Sequence, residues 1–142
     1  MPTPSVTSLP FYAPSGSSKQ WKGLTHIVTV SGIDGLATGN TPLITVPTGY
    51  ALVVDKLVVR VTAVTGSATT GAVSLINSTD TVDLIANTTL TSLVTAGLST
   101  KLTPAAAAPG AAAGKVVSFK IGTAYTVASV VTLAVDLHCY FV

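Results

Sequence analysis

The stretch LVVRVTAV, residues 57–64, decides the fold class, because its side chains alternate between two environments. A period of two is the repeat of an extended strand, so the pattern predicts a strand with one buried and one accessible face. The positions predicted to point inward are Leu57, Val59, Val61 and Ala63. The positions predicted to point outward are Lys56, Val58, Arg60 and Thr62.

Shorter stretches on both sides of this one repeat the alternation, with turn signals every ~8–12 residues. The predicted strands cover residues 24–30, 43–46, 72–77, 82–86, 98–102, 115–121 and 130–142. Residues 31–40 (SGIDGLATGN) are predicted to form a loop, because three glycines and an asparagine tolerate positive φ. Residues 103–114 (TPAAAAPGAAAG) are also predicted to be a loop, since Pro109 and Gly110 stop a helix after one turn.

About eight short strands without an intervening amphipathic helix are typical of a β-sandwich or jelly roll. The sequence therefore predicts one all-β domain of about eight antiparallel strands over residues 23–142. Residues 1–22 differ in composition: four prolines and five serines disfavour regular structure, yet Phe11, Tyr12 and Trp21 are large apolar side chains. This segment is predicted to be an extended arm that lies over its own domain or reaches onto a neighbouring subunit.

The composition is rich in β-branched residues and poor in charge. Thr and Val supply 43 of the 142 residues, charged residues are 8% of the chain, and there is no Glu. No apolar run approaches the ~20 residues of a spanning helix, so a membrane helix is rejected. A net charge of +2 is too small and dispersed to predict nucleic-acid binding. We therefore expect other protein chains to cover part of the surface.

The sequence predicts no catalytic, metal or cofactor site. His138 and Cys139 are neighbours on a strand, so their side chains point to opposite faces and cannot ligate one ion. His26 and Cys139 occupy apolar registers and are interpreted as buried. Calcium ligation by Asp34, or by Asp80 with Asp83, is an alternative to their simpler role as turn-forming or solvated acids. The chain contains no nucleophile elbow and no phosphate-binding loop, so an enzyme is not expected.

Outward charges on two predicted strands suggest where subunits meet. Lys56 and Arg60 lie on the outward face of one strand, and Asp136 and His138 lie on the outward face of the last strand, followed by Tyr140. If these faces meet between subunits, they form ion pairs that fix register more than affinity.

The pattern Val46-Pro47-Thr48-Gly49-Tyr50 followed by LVVDKLVVRVTAVTG (residues 52–66) resembles small jelly-roll structural proteins of bacteriophages. The residues that carry the resemblance are a Pro-x-Gly turn, the strand segment Arg60-Val61-Thr62 and the terminal Tyr140-Phe141, within residues 43–142. The resemblance implies a trimeric capsid decoration or cement protein that binds the major capsid protein and copies of itself, or a related tail or fibre component. It also implies incorporation into the virion. Synthesis in the bacterial cytoplasm is expected because the N-terminal residues show no basic segment followed by an apolar run, the pattern of a secretory signal.

Two other functions remain open at this stage. A jelly-roll module at a fibre tip that binds host-surface carbohydrate requires exposed aromatic residues, for which the candidates are Trp21, Tyr50, Tyr125 and Tyr140. A self-assembling surface-layer or filament subunit requires an interface that repeats without closing.

Overall fold

The computed structural model describes residues 5–6, 25–91, 93–105 and 110–142. Phe11, Tyr12 and Trp21 of the predicted arm lie outside the described residues. Within the described residues there are ten strands. They are β1 (Ser5–Val6), β2 (Thr25–Asp34), β3 (Gly39–Thr45), β4 (Leu52–Thr65), β5 (Ala72–Asn77), β6 (Val82–Thr89), β7 (Ser99–Leu102), β8 (Gly110–Ala111), β9 (Val116–Thr123) and β10 (Val130–Phe141).

The strands form two antiparallel sheets. The first sheet has the order β1-β2-β10-β4-β7, with β8 also pairing to β4, and the second has the order β3-β9-β5-β6. The pairs are nested along the chain: β2 pairs with β10, β3 with β9, β4 with β7, and β5 with β6. The predicted all-β sandwich is confirmed.

The core lies between the two sheets and is built from the inward positions of both. On β10, every second residue is buried, as the alternation predicts: Val131, Leu133, Val135, Leu137, Cys139 and Phe141. The second sheet contributes Val73 and Leu75 from β5 and Val117, Phe119 and Ile121 from β9. Removing these apolar side chains from water is the main driving force for folding such a domain.

Two local predictions are wrong. The predicted loop over residues 31–40 is largely strand, because β2 continues to Asp34 and β3 begins at Gly39. Both extensions pair with long neighbours, so backbone hydrogen bonds override a composition that favours a loop. Ala63 is also not in the core: the register between β4 and β10 shifts beside Thr132, and Val64 takes the inward position.

The alanine-rich segment forms no helix in the part of it that is described. Residues 103–105 are irregular, and Gly110–Ala111 pairs with Leu52 and Val53 of β4 as a very short strand. Across the described residues, no helix is long and apolar enough to cross a bilayer.

Candidate functional site

The outer face of the first sheet brings together most of the side chains that the sequence analysis selected. Lys56 and Arg60 are on β4, and Asp136, His138 and Tyr140 are on β10, all half-buried and on the side away from the core. The face forms because β4 and β10 are neighbours over twelve registered pairs, so their outward positions share one surface. We refer to it below as the β4/β10 face.

Arg60 and Asp136 form an ion pair within one chain. The Arg60 Nη2 atom lies 3.1 Å from each of the two carboxylate oxygens of Asp136. The Thr29 hydroxyl of β2 donates to Asp136 Oδ1 at 2.8 Å. Arg60 and Asp136 were expected to pair between subunits if their faces met there, whereas the sheet order makes them neighbours in the same chain. Since both side chains are partly exposed, the pair contributes on the order of 1 kcal/mol or less to stability.

The same face has an excess of positive charge that sequence reasoning did not identify. Lys101 of β7 lies opposite Val58 and therefore joins Lys56 and Arg60 on this side, against Asp136 and the exposed Asp55 in the β4 bulge beside Lys56. A pocket of about 300 Å³ lies beside Arg60 and is lined in part by Ser99. The sequence feature that could have identified Lys101 is its neighbour Leu102. Leu102 points inward, and successive side chains of a strand alternate, so Lys101 points outward.

Apolar side chains lie between these charges. Val53 lies opposite Tyr140, and Val58 lies opposite Asp136, and all three of Val53, Val58 and Tyr140 are half-buried. Aromatic, aliphatic and arginine side chains in one patch, with polar groups around them, are the usual composition of a protein–protein interface. The β4/β10 face is chemically suited to contact another protein.

His26 and Cys139 lie opposite each other on the inner face of the first sheet, whereas His138 lies on its outer face. His26 is buried against the Phe141 ring, with 5.0 Å between ring centroids. Cys139 is buried, and that burial raises the pKa of its thiol to about 12. His138 lies on the outer side of β10 beside Lys56. The described residues contain no group of three or more His, Cys, Asp or Glu able to hold a metal ion.

The aspartates considered for calcium have local partners. Asp34 Oδ1 accepts a hydrogen bond from the Leu36 amide at 2.9 Å, which is a turn-forming contact. Asp80 accepts hydrogen bonds from Lys115 Nζ at 2.7 Å and from Asn77 Nδ2 at 2.9 Å. Asp83 is exposed at the start of β6. For Asp34 and Asp80 these contacts correspond to the role of turn-forming or solvated acids.

Asp80 lies in the β5–β6 turn and contacts Lys115, so the pKa of Asp80 tests whether this contact forms. The hydrogen bonds from Lys115 and Asn77 hold the pKa of Asp80 below its ordinary value of 3.8. The stabilisation from this carboxylate is therefore present above pH 3.8 and is lost as the pH falls through the lowered pKa. We expect an NMR titration of Asp80 to have its midpoint below 3.8 and to move upward in Lys115→Met. Lys101→Met serves as the control, and an equal change in both variants would contradict the assignment.

The aromatic residues considered for sugar binding divide into two groups. Tyr50 and Tyr125 are buried, so their faces are not available for stacking against a sugar ring. Tyr140 is half-buried on the β4/β10 face, and Trp21 lies outside the described residues. Of the predicted arm, only Ser5 and Val6 are described, and their backbone pairs with Thr29 and Val28 at the edge of the first sheet.

Comparison with known proteins gives no family for this chain. No protein-family model, no curated protein and no solved structure matches it. The resemblance to phage jelly-roll proteins therefore stays a prediction.

Proposed function

We propose that this chain is a non-enzymatic structural protein of a bacteriophage particle. In this proposal it is a jelly-roll decoration or cement protein that assembles with itself, as a homotrimer, and binds between subunits of the major capsid protein. The observation that carries the assembly role is the β4/β10 face. It presents Arg60, Tyr140 and two valines on one sheet surface, in a chain with few charges.

The strand order supports the jelly-roll part of the proposal. The first long strand pairs with the last one, β2 with β10, and the pairs inside them are β3 with β9, β4 with β7 and β5 with β6. The chain therefore follows the path of one long hairpin. A jelly roll, a fold that viral capsid proteins use, is such a hairpin rolled into two four-stranded sheets with two Greek keys. In this chain β1 and β8 are additional strands of the first sheet. Because unrelated functions share this fold, the phage context rests on analogy and on the sequence resemblance.

The test is whether the native particle contains this chain. Particles purified from cells that carry its gene are imaged at low dose, and their protein content is measured by mass spectrometry. We expect repeated density for a chain of 14.2 kDa at symmetry-related positions on the capsid surface. Particles produced after deletion of the gene are the control and should lack this density. Particles without the chain, or with it only on tail fibres, would refute the capsid role.

A further inference from the structure

One end of the sandwich is formed by four loops that carry no charge. They are the β2–β3, β4–β5, β6–β7 and β9–β10 loops, residues 35–38, 66–71, 90–98 and 124–129, and none contains Asp, Glu, Lys, Arg or His. Two charged side chains lie on strands beside these loops: Asp34, whose carboxylate accepts a hydrogen bond from the Leu36 amide, and Arg60, which lines a pocket with Gly97 and is paired with Asp136. By contrast, the β5–β6 turn at the opposite end carries the Asp80–Lys115 ion pair. We refer to the uncharged end as the four-loop end.

Backbone hydrogen bonds tie these loops into one surface. The Thr69 amide donates to the Thr126 carbonyl at 3.0 Å, and the Tyr125 amide donates to the Gly35 carbonyl at 2.9 Å. The Leu90 amide donates to the Gly71 carbonyl at 2.9 Å. The four-loop end is therefore organised by contacts between loops that are distant in sequence.

Exposed apolar side chains concentrate at this end. Val127 is 76% exposed, Leu98 is 44% exposed and Val130, at the start of β10, is 41% exposed. These three are among the five large apolar side chains that are exposed in the described part of the chain. A single exposed apolar side chain is ordinary, but three at one end of the sandwich, in loops rich in hydroxyl side chains, favour a surface that another protein covers.

Val127 is also held in a strained backbone conformation. Its φ is +71°, in the left-handed region that a β-branched residue rarely occupies. The neighbouring residues hold it there: the Thr126 amide donates to the Thr69 hydroxyl at 3.1 Å, and the Ser129 amide donates to the Thr65 carbonyl at 2.9 Å. Such strain persists only where the surroundings impose it, and it clusters at functional positions. Here the strain directs an apolar side chain into solvent.

We propose that copies of this chain associate through the four-loop end around a rotation axis, with Val127 as the apolar anchor. Near such an axis, a side chain comes close to the same side chain of the next copy, so a charge there would face a like charge. A surface without charge avoids this repulsion, and it offers no charge to attract an oppositely charged partner. The lack of charge in these loops therefore favours a second copy of the chain over the capsid as the occupant. The inference names the self-contact within the homotrimer and rests on the proposed function.

The experiment measures the molar mass of the purified full chain by size exclusion with light scattering, over a range of concentrations and salt. We expect a closed oligomer that high salt does not weaken, because no ion pair holds it. Val127→Asp should weaken association by on the order of 100-fold, since it places like charges near the axis. Val82→Asp is the matched control: Val82 is 53% exposed at the opposite end, and its variant should associate as the wild type does.

Val127→Gly separates an interface role from a structural one. Glycine adopts positive φ without strain, so this variant should melt at the same or a higher temperature than wild type while associating on the order of 10-fold more weakly. A wild-type monomer at all concentrations, an open-ended polymer, or equal effects of Val127→Asp and Val82→Asp would overturn the proposal. Failure of the capsid role would instead appear as particles that lack the chain, which these solution measurements do not involve.

Discussion

Phe119→Ala is expected to lower the free energy of unfolding by about 3–5 kcal/mol, the range observed for aromatic deletions in closely packed cores. Phe119 is fully buried on β9, which lies between β3 and β5 in the second sheet. Its backbone partners are Thr41 on one side and Leu75 on the other, so neighbouring strands limit how far the structure can relax into the cavity. Equilibrium unfolding in urea, followed by circular dichroism, measures the loss as a lower midpoint.

A matched control distinguishes this cavity from a general sensitivity to substitution. Val82→Ala removes apolar atoms from a side chain that already contacts water, so it should change stability by about 0.5 kcal/mol or less. If Phe119→Ala lowered the free energy of unfolding no more than Val82→Ala does, the placement of β9 at the centre of the second sheet would be wrong.

The inward positions could be predicted because the pleat of a strand fixes which side chains share a face. On β10 the alternation of the predicted strand matches six buried residues, from Val131 to Phe141, and on β9 it matches Val117, Phe119 and Ile121. On β4 it failed after Val61. The register shift beside Thr132 moves the inward position from Ala63 to Val64, and that shift arises from the partner strand. Local pattern therefore predicts a face only as far as the next bulge.

The geometry of the candidate site depends on strand order, which no local pattern records. Arg60 and Asp136 are 76 positions apart, and their pairing follows from the position of β10 between β2 and β4. The sequence showed that both charges point outward but not that they share one sheet. Lys101 was missed for the same reason, because its place on this face depends on the pairing of β7 with β4. The left-handed φ of Val127 is also unexpected from sequence, since valine is a residue type that disfavours it.

Gly71→Ala is expected to lower the free energy of unfolding by about 1–3 kcal/mol, the usual cost of adding a methyl group to a packed site. A Cβ atom on Gly71 would lie 2.7 Å from Tyr125 Cε2 and 3.0 Å from the Thr123 carbonyl oxygen. The ring has little room to move away, because Tyr125 is buried, and this burial raises the pKa of its phenol to about 12. In a Tyr125→Leu background, Gly71→Ala should lower the free energy of unfolding by much less. A double-mutant cycle measures this difference as the coupling between the two residues.

The effect of Gly71→Ala should extend to assembly, because Tyr125 belongs to the β9–β10 loop that carries Val127. Moving the ring displaces one loop of the four-loop end relative to the next, so self-association should weaken together with stability. Gly122→Ala is the matched control: its Cβ would lie 2.9 Å from Asn87 Oδ1, an exposed side chain that can rotate away. We expect Gly122→Ala to unfold and associate as the wild type does. An equal loss of stability in both variants would mean that Tyr125 does not lie against Gly71.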